Sequence, residues 1–343
     1  MPSQILHSLF GEDVIAGIFR RTGNWFETET IHTIYKNVFA LGCQGPDIFY
    51  HGRRQRPVGL EYGTLLHRRG IGLFAAKLLE ASLPPTASIS ALGAYALGFM
   101  THAILDRAAH PYIVYKSFRP SSRGTLGPAQ AHTFFERIID ALMLKTLRGR
   151  EISGWDQECV LSSVCTSPPP GLKELLERTL IQTFPERAGK DEKLADRIKN
   201  TFDDSARFYR LTAPANLVKK NTGVATAITK DHLLYIYPEN LPGHIDFLNM
   251  EKRPWFYPAG HVKEDTRSFP EVYAHAVQAA TDLLGGIIKR YLEDGAFPTL
   301  EAATAMGNGG LSLVDSNGAP CPPIRFDSLP LDEVLEQQFA SCR

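Results

Sequence analysis

The stretch "LGFMTHAILDRAAHPYI", residues 97–113, decides how this chain is read. It is largely apolar, yet it holds His102, Asp106 and His110 at strict four-residue spacing. On a helix, positions four apart differ by about 40° in azimuth and about 6 Å in height, so the three side chains project from one face. Such a ladder is either the polar edge of a core helix or a row of metal ligands, and alone it does not choose. Pro111 predicts that the helix stops at His110, leaving that imidazole at a helix end.

The device recurs. "AHTFFERI" (131–138) sets His132 and Glu136 four apart on the next helix. Either pair alone is equally well explained by a half-buried histidine hydrogen-bonded to a carboxylate. Seven of the eleven histidines, however, fall between residues 7 and 132, several of them inside apolar helical sequence. Burying so many imidazoles and carboxylates is costly unless something binds them. "ILHSLFG" presents His7 between apolar neighbours, "LGCQGPDIFYH" puts Asp47 in a Gly-Pro turn, and "TLLHRRG" puts His67 on an amphipathic helix. Nitrogen and oxygen ligands without cysteine suit a catalytic zinc or a mixed zinc cluster better than a closed structural site, which usually uses thiolates.

Bulk properties narrow the field. A chain of 343 residues with 43% hydrophobic content can fill a proper core. Thirty-seven basic residues against 37 acidic ones leave no net field to recruit nucleic acid or an anionic membrane, and no stable nucleic-acid partner is expected. The basic cluster Arg53, Arg54 and Arg56, with Arg68 and Arg69 further on, reads as a solvated loop or a local phosphate site. No run approaches the roughly 20 apolar residues of a membrane span, and "MPSQILHSLFGEDV" lacks the basic and apolar regions of a leader, so a soluble cytoplasmic protein is expected. Five scattered cysteines without a CxxC pair fit reduced thiols, with Cys43 a core residue.

Helical periodicity dominates and alternating strands are not evident, so the fold class is all-α. Helices are predicted over 11–21, 62–82, 89–110, 128–147, 171–184, 191–211 and 269–295, with "CTSPPPG" (165–171) as the best internal linker. Residues 1–295 form the expected helical domain. Residues 296–343, richer in Gly and Pro, read as an irregular tail packed on it.

In order and type these residues resemble the zinc-dependent phospholipase C family. Its bacterial intracellular members share "MPS…H…FG", "LGCQGPD", a following His, "LGF…H…D…HPY" and a later "H…E"; "FLNMEKRPWFYPAG…SFPEVYAHAVQAA" (247–280) looks like the family's later segment. The family's metal cluster is similar to that of the fungal single-strand zinc nucleases. The resemblance implies a multi-helix bundle around two or three zinc ions. Asp47, His67, His102 and Asp106 would surround one, His110, His132 and Glu136 a second, and His7 would serve a third that Asp106 bridges to the first. This chain begins Met-Pro-Ser, whereas the secreted enzymes offer an N-terminal Trp to that third ion. Eight side chains cannot saturate three zinc ions at about four ligands each, which leaves places for water.

The implied activity is hydrolysis of a phosphodiester by attack of metal-activated water, with Asp47 as ligand and catalytic base and a phosphoester, by resemblance a phospholipid, as substrate. Two other readings stay open: an intracellular phosphodiesterase or nuclease acting on soluble phosphoesters, and a non-catalytic helical protein stabilised by zinc. Phe49 and Tyr50 read as core aromatics or pocket lining. His51 reads as a non-ligand close to Asp47, and His244 and Asp246, two apart, as structural or capping residues. His232, His261 and His275 have no carboxylate at chelating spacing, and "GNGG" (307–310) lacks the Lys and helix of a phosphate loop.

Overall fold

The computed structural model describes residues 4–22, 28–83, 89–120, 126–213, 234–235, 237–238, 240–260 and 264–341. These residues form fourteen α-helices, a two-residue antiparallel pair (Trp255–Phe256 with Glu264–Asp265) and an isolated bridge between Val314 and Pro320. The fold is all-α. The helices that shape the site are α1 (Gln4–Thr22), α3 (Lys36–Cys43), α4 (Ile48–His51), α5 (Leu60–Arg68), α6 (Ile71–Glu80), α7 (Ala91–Ser117) and α8 (Pro128–Arg148). Helix α2 (Thr28–Thr33) leads into α3. Further along come α9 (Gln157–Thr166), α10 (Leu172–Thr183), α11 (Leu194–Thr212), α12 (Phe269–Asp294), α13 (Thr299–Met306) and α14 (Leu331–Ser341).

Helix α7 is the axis. Ser90 caps it, its hydroxyl accepting from the Gly93 amide at 3.0 Å, and most of its residues are buried. Contrary to expectation, Pro111 does not end it: the helix runs on to Ser117. An interior proline removes one backbone hydrogen bond and costs about 3 kcal/mol. Burial of Tyr112, Ile113, Val114 and Tyr115 in the following turn outweighs that penalty.

Two glycines let α3 lie directly on α7. A methyl group on Gly42 would overlap the Tyr95 carbonyl, and one on Gly98 the Phe39 carbonyl. Only at this separation does the Cys43 carbonyl reach the His102 ring. Helix α1 is positioned by α8, where Asp140 accepts from the Ile5 and Leu6 amides at 3.2 and 2.8 Å. A carboxylate there satisfies first-turn amides that the helix itself cannot. His7 follows immediately.

The helix predicted over 62–82 is two helices. Gly70 takes a left-handed conformation at φ 75°, and Asn308 bridges the break: its carbonyl accepts from the Gly70 amide at 2.9 Å and its side chain from Leu73 at 2.8 Å. That cap lies 235 residues away in sequence, out of reach of any local pattern. The segment beyond residue 295 holds α13 and α14 where composition suggests irregular chain, and Ala302, Ala303, Met306, Leu331 and Val334 belong to the main hydrophobic core. The expected linker 165–171 is the end of α9 and a connection of residues 167–171 into α10 on the same core, to which Cys165 and Leu172 both contribute.

Behind the site lies a buried polar group. Arg137 on α8 donates to Gln4 Oε1 at 3.1 Å and lies over the Tyr237 ring, and the Tyr237 hydroxyl donates to Glu158 at 2.8 Å. Burial pushes the Glu158 carboxyl up to about 7, against the hydrogen bond from Tyr237.

Two tests follow from this packing. Gly98→Ala on an open helix face would stabilise by up to about 1 kcal/mol; here overlap with Phe39 reverses the sign, and a loss of about 1–3 kcal/mol is expected in urea unfolding. For Glu158, the folded state holds its proton more tightly than the unfolded chain. Its stabilising contribution is therefore full below the ordinary carboxylate pKa of about 4.3 and is lost as pH rises through about 7. Glu158→Gln should match wild type near pH 4.5 and exceed it in stability at pH 8; equal stability at both would contradict the buried acid.

Candidate metal centre

Asp47 ends a 3-10 turn, Gly45–Asp47, between α3 and α4. Gly45 is required twice over: its φ is 53°, and a side chain there would strike the His102 ring. Gln44 ties the turn to α1 by donating to the Gln4 carbonyl at 3.1 Å and the Ser8 hydroxyl at 3.2 Å. Asp47 is thereby buried facing α7, with its carboxylate 2.9 Å from His67 Nε2 and 3.7 Å from His102 Nε2.

Asp106 sits midway along α7. His7 Nε2 and His102 Nε2 each lie 3.2 Å from its carboxylate, His110 Nδ1 lies at 3.7 Å and His67 Nε2 at 3.8 Å. His7 and His102 stack at 4.0 Å between ring centroids. One turn on, Glu136 is 3.1 Å from His132 Nε2 and 3.7 Å from His110 Nε2, and those two rings also stack. The ligand atoms fall into three compact groups: His7, His102 and Asp106; Asp47, His67 and His102; His110, His132 and Glu136. All eight residues singled out by sequence are brought together. The partition differs from the expected one, because His102 is shared by two groups and His7 lies with His102 as well as Asp106.

The rings are oriented as metal ligands require. His67 Nδ1 is 2.7 Å from the Gly63 carbonyl, His102 Nδ1 is 3.1 Å from that of Cys43, and His110 Nδ1 is 3.0 Å from those of Asp106 and Leu311. A backbone carbonyl on Nδ1 holds the proton there and leaves the Nε2 lone pair directed inward. His102 Nε2 and His7 Nδ1 are buried without a hydrogen bond. His102 Nε2, its proton held on Nδ1, faces the Asp106 carboxylate at 3.2 Å, a pairing that fits a cation between them, and the donor set suits zinc.

Electrostatics agree. Burial alone would raise the Asp47 pKa, but His102 and the His67 hydrogen bond outweigh it and hold the carboxyl down to about 2. Asp106 is likewise buried, yet His110, His102 and His7 hold it well below the ordinary carboxylate range, and His132 lowers Glu136 against its burial. Burial lowers His110 against the attraction of Asp106, whereas the Asp106 hydrogen bond raises His7 in spite of burial. Three ionised carboxylates amid imidazoles make a site suited to divalent cations.

The clusters form one wall of a cleft of about 560 Å³, also lined by Tyr50, Arg53, Arg68 and Tyr235. A family model described as zinc dependent phospholipase C matches residues 6–207, more than half the chain and the whole of the eight-residue set. The chain belongs to the zinc-dependent phospholipase C family. Comparisons with curated proteins and with solved structures give no match. In this family member, Phe49 is core whereas Tyr50 lines the cleft, its ring 4.7 Å from that of His67. His51 stacks on Phe208 at 3.9 Å, and burial lowers it to about 3, so it is a neutral core aromatic outside the three groups. Asp246 caps the turn that follows it, accepting from Met250 and Glu251 at 2.8 Å, while His244 and His275 are exposed. His232, His261 and Cys342 lie outside the described residues.

Sequence reasoning missed one support. Arg107, next to Asp106, directs its guanidinium at the carbonyls of Met306, Gly307 (2.9 Å), Gly309 (3.0 Å) and Gly310 (3.4 Å). It gathers "GNGG" and delivers Leu311, whose amide bonds the His67 carbonyl at 2.9 Å and whose carbonyl holds His110. The stretch therefore buttresses both sides of the cleft from beyond the matched residues. Arg107→Ala should leave far-UV circular dichroism intact but weaken zinc retention about 10- to 100-fold, read as transfer to a chromogenic chelator. Unchanged retention would separate the loop from the metal centre.

Proposed function

We propose that the protein hydrolyses a phosphodiester in phospholipase C fashion, with zinc held by His7, Asp47, His67, His102, Asp106, His110, His132 and Glu136. The observation that carries this is the openness of the clusters. Each offers three ligating residues where closed structural sites use four, and His67 and His132 keep 15% and 22% of their side-chain surface exposed on the cleft wall. That openness weighs against a purely structural zinc protein. Residues 1–295 form the catalytic domain in this reading, with 296–343 packed against it.

When bound, zinc supplies Lewis acidity to a phosphoryl oxygen and lowers the pKa of water towards neutrality. The chain's own residues supply the rest. His67, His102 and His110, with their Nδ1 protons tied to backbone carbonyls, keep their Nε2 lone pairs directed at the carboxylates of the three groups. Asp47, ionised, lining the cleft and 2.9 Å from His67, would receive the proton released from the attacking water. Tyr50, Thr64, Gln130 and Thr133 border the same space and orient the diester. A phospholipid would place its headgroup and phosphate in the cleft. No described helix is long and apolar enough to cross a membrane, so such a substrate would be met at a surface.

Metal analysis of protein purified without chelator should give two or three zinc ions per chain. Bis-p-nitrophenyl phosphate, p-nitrophenyl phosphorylcholine and single-stranded nucleic acid should then be assayed in parallel. Zinc-dependent release of nitrophenol is expected, with a loss of about 100-fold or more in Asp47→Asn, loss of bound zinc in Asp106→Ala, and no change in His244→Ala. Absence of zinc, or hydrolysis indifferent to Asp47, would sink the proposal.

A further inference from the structure

The metal clusters leave unexplained why two arginines stand on the same cleft. Arg53 and Arg68 both line it and both are exposed, and no described carboxylate pairs with either. Two acids on neighbouring elements are engaged elsewhere. Asp204 on α11 accepts from the Arg54 and Gln55 amides at 2.7 and 3.1 Å, which pins the loop that presents Arg53. Glu61, two turns before Arg68 on α5, pairs with Arg187 and with Arg197 at 3.3 Å. Arg68 itself follows His67 in the last turn of α5, a position set by the break at Gly70.

The rest of the lining points the same way. Its carboxylates are Asp47, Asp106 and Glu136, each facing imidazoles in a metal group, so none is left for a cationic headgroup. A quaternary ammonium is held by aromatic faces and a free negative charge; here Tyr50 is already against His67, Tyr235 packs edge-on with Phe208, and no free carboxylate accompanies them in the lining. Divalent ions would neutralise those three carboxylates and leave the arginine charge in excess. Guanidinium forks match phosphate oxygens in pairs, and two of them unpaired beside a phosphodiester site form a second anion subsite.

We propose that Arg53 and Arg68 bind a second anionic group on the substrate, a phosphomonoester on the headgroup, and so select a phosphorylated headgroup over a cationic amine. This rests on the phosphodiesterase reading above and narrows its substrate class.

The test compares zinc-loaded wild type, Arg53→Ala, Arg68→Ala and Arg68→Glu on glycerophosphoinositol 4-phosphate and glycerophosphocholine. The same headgroups are presented as phosphatidylinositol 4-phosphate and phosphatidylcholine in mixed micelles. Wild type should favour the phosphorylated headgroup in kcat/KM in both settings. Each alanine variant should reduce the preference about tenfold, equivalent to about 1.4 kcal/mol, and Arg68→Glu should reverse it. Arg54→Ala, whose side chain does not line the cleft, should leave the ratio alone. A preference seen only in micelles would mean that the arginines sense a charged surface, and would overturn the subsite. So would a wild-type preference for choline. If no diester is cleaved, calorimetric binding of glycerophosphoinositol 4-phosphate decides separately: binding lost in both alanine variants upholds the subsite while the hydrolase reading falls, and binding indifferent to them overturns it.

Discussion

Everything in this structure turns on one buried carboxylate. Asp106 is 6% exposed, in the middle of an apolar helix, with four imidazoles within 3.8 Å. An unpaired charge in such a place is strongly destabilising, and its attraction for surrounding dipoles and cations is correspondingly large. Helices α1 and α5 each contribute one histidine to it and α7 two, so the meeting of those helices and the assembly of the candidate metal centre are one event.

Two further constraints make the meeting possible. Backbones must approach closely where α3 crosses α7, which Gly42 and Gly98 permit, and the turn at Gly45 must pass against a ring, which no other residue could do. The rings must also be held by their far nitrogens. Four backbone carbonyls do this for three rings, and one of them, from Leu311, lies 201 residues from the histidine it orients. The candidate site is thus completed by chain outside the family-matched residues 6–207. Arg107 converts the helix that carries Asp106 into the anchor for that chain. The same residue stretch therefore serves the cluster on one face and recruits its support on another.

The candidate site was more legible than the fold around it. Four-residue spacing of His102, Asp106 and His110, repeated by His132 and Glu136, survives any detail of packing because helix geometry alone puts those pairs on common faces. Pro111 misled because proline's local penalty is smaller than the burial gained by continuing α7. The single helix expected over 62–82 failed for the opposite reason: the break depends on Asn308, and a cap supplied from so far away leaves no trace near Gly70. The tail's helices were hidden by its Gly and Pro content, although its apolar residues lie in the main core.

The sequence by itself determined the helical class, the eight ligand-type residues and their kinship with zinc phospholipases, since these depend on periodicity and on residue order. The tertiary structure decided how the eight divide into three groups with His102 shared, which carbonyls orient the rings, and which arginines face the cleft. Those are relations between residues tens to hundreds of positions apart. They are set by interhelical distances that only close packing of the whole chain can define.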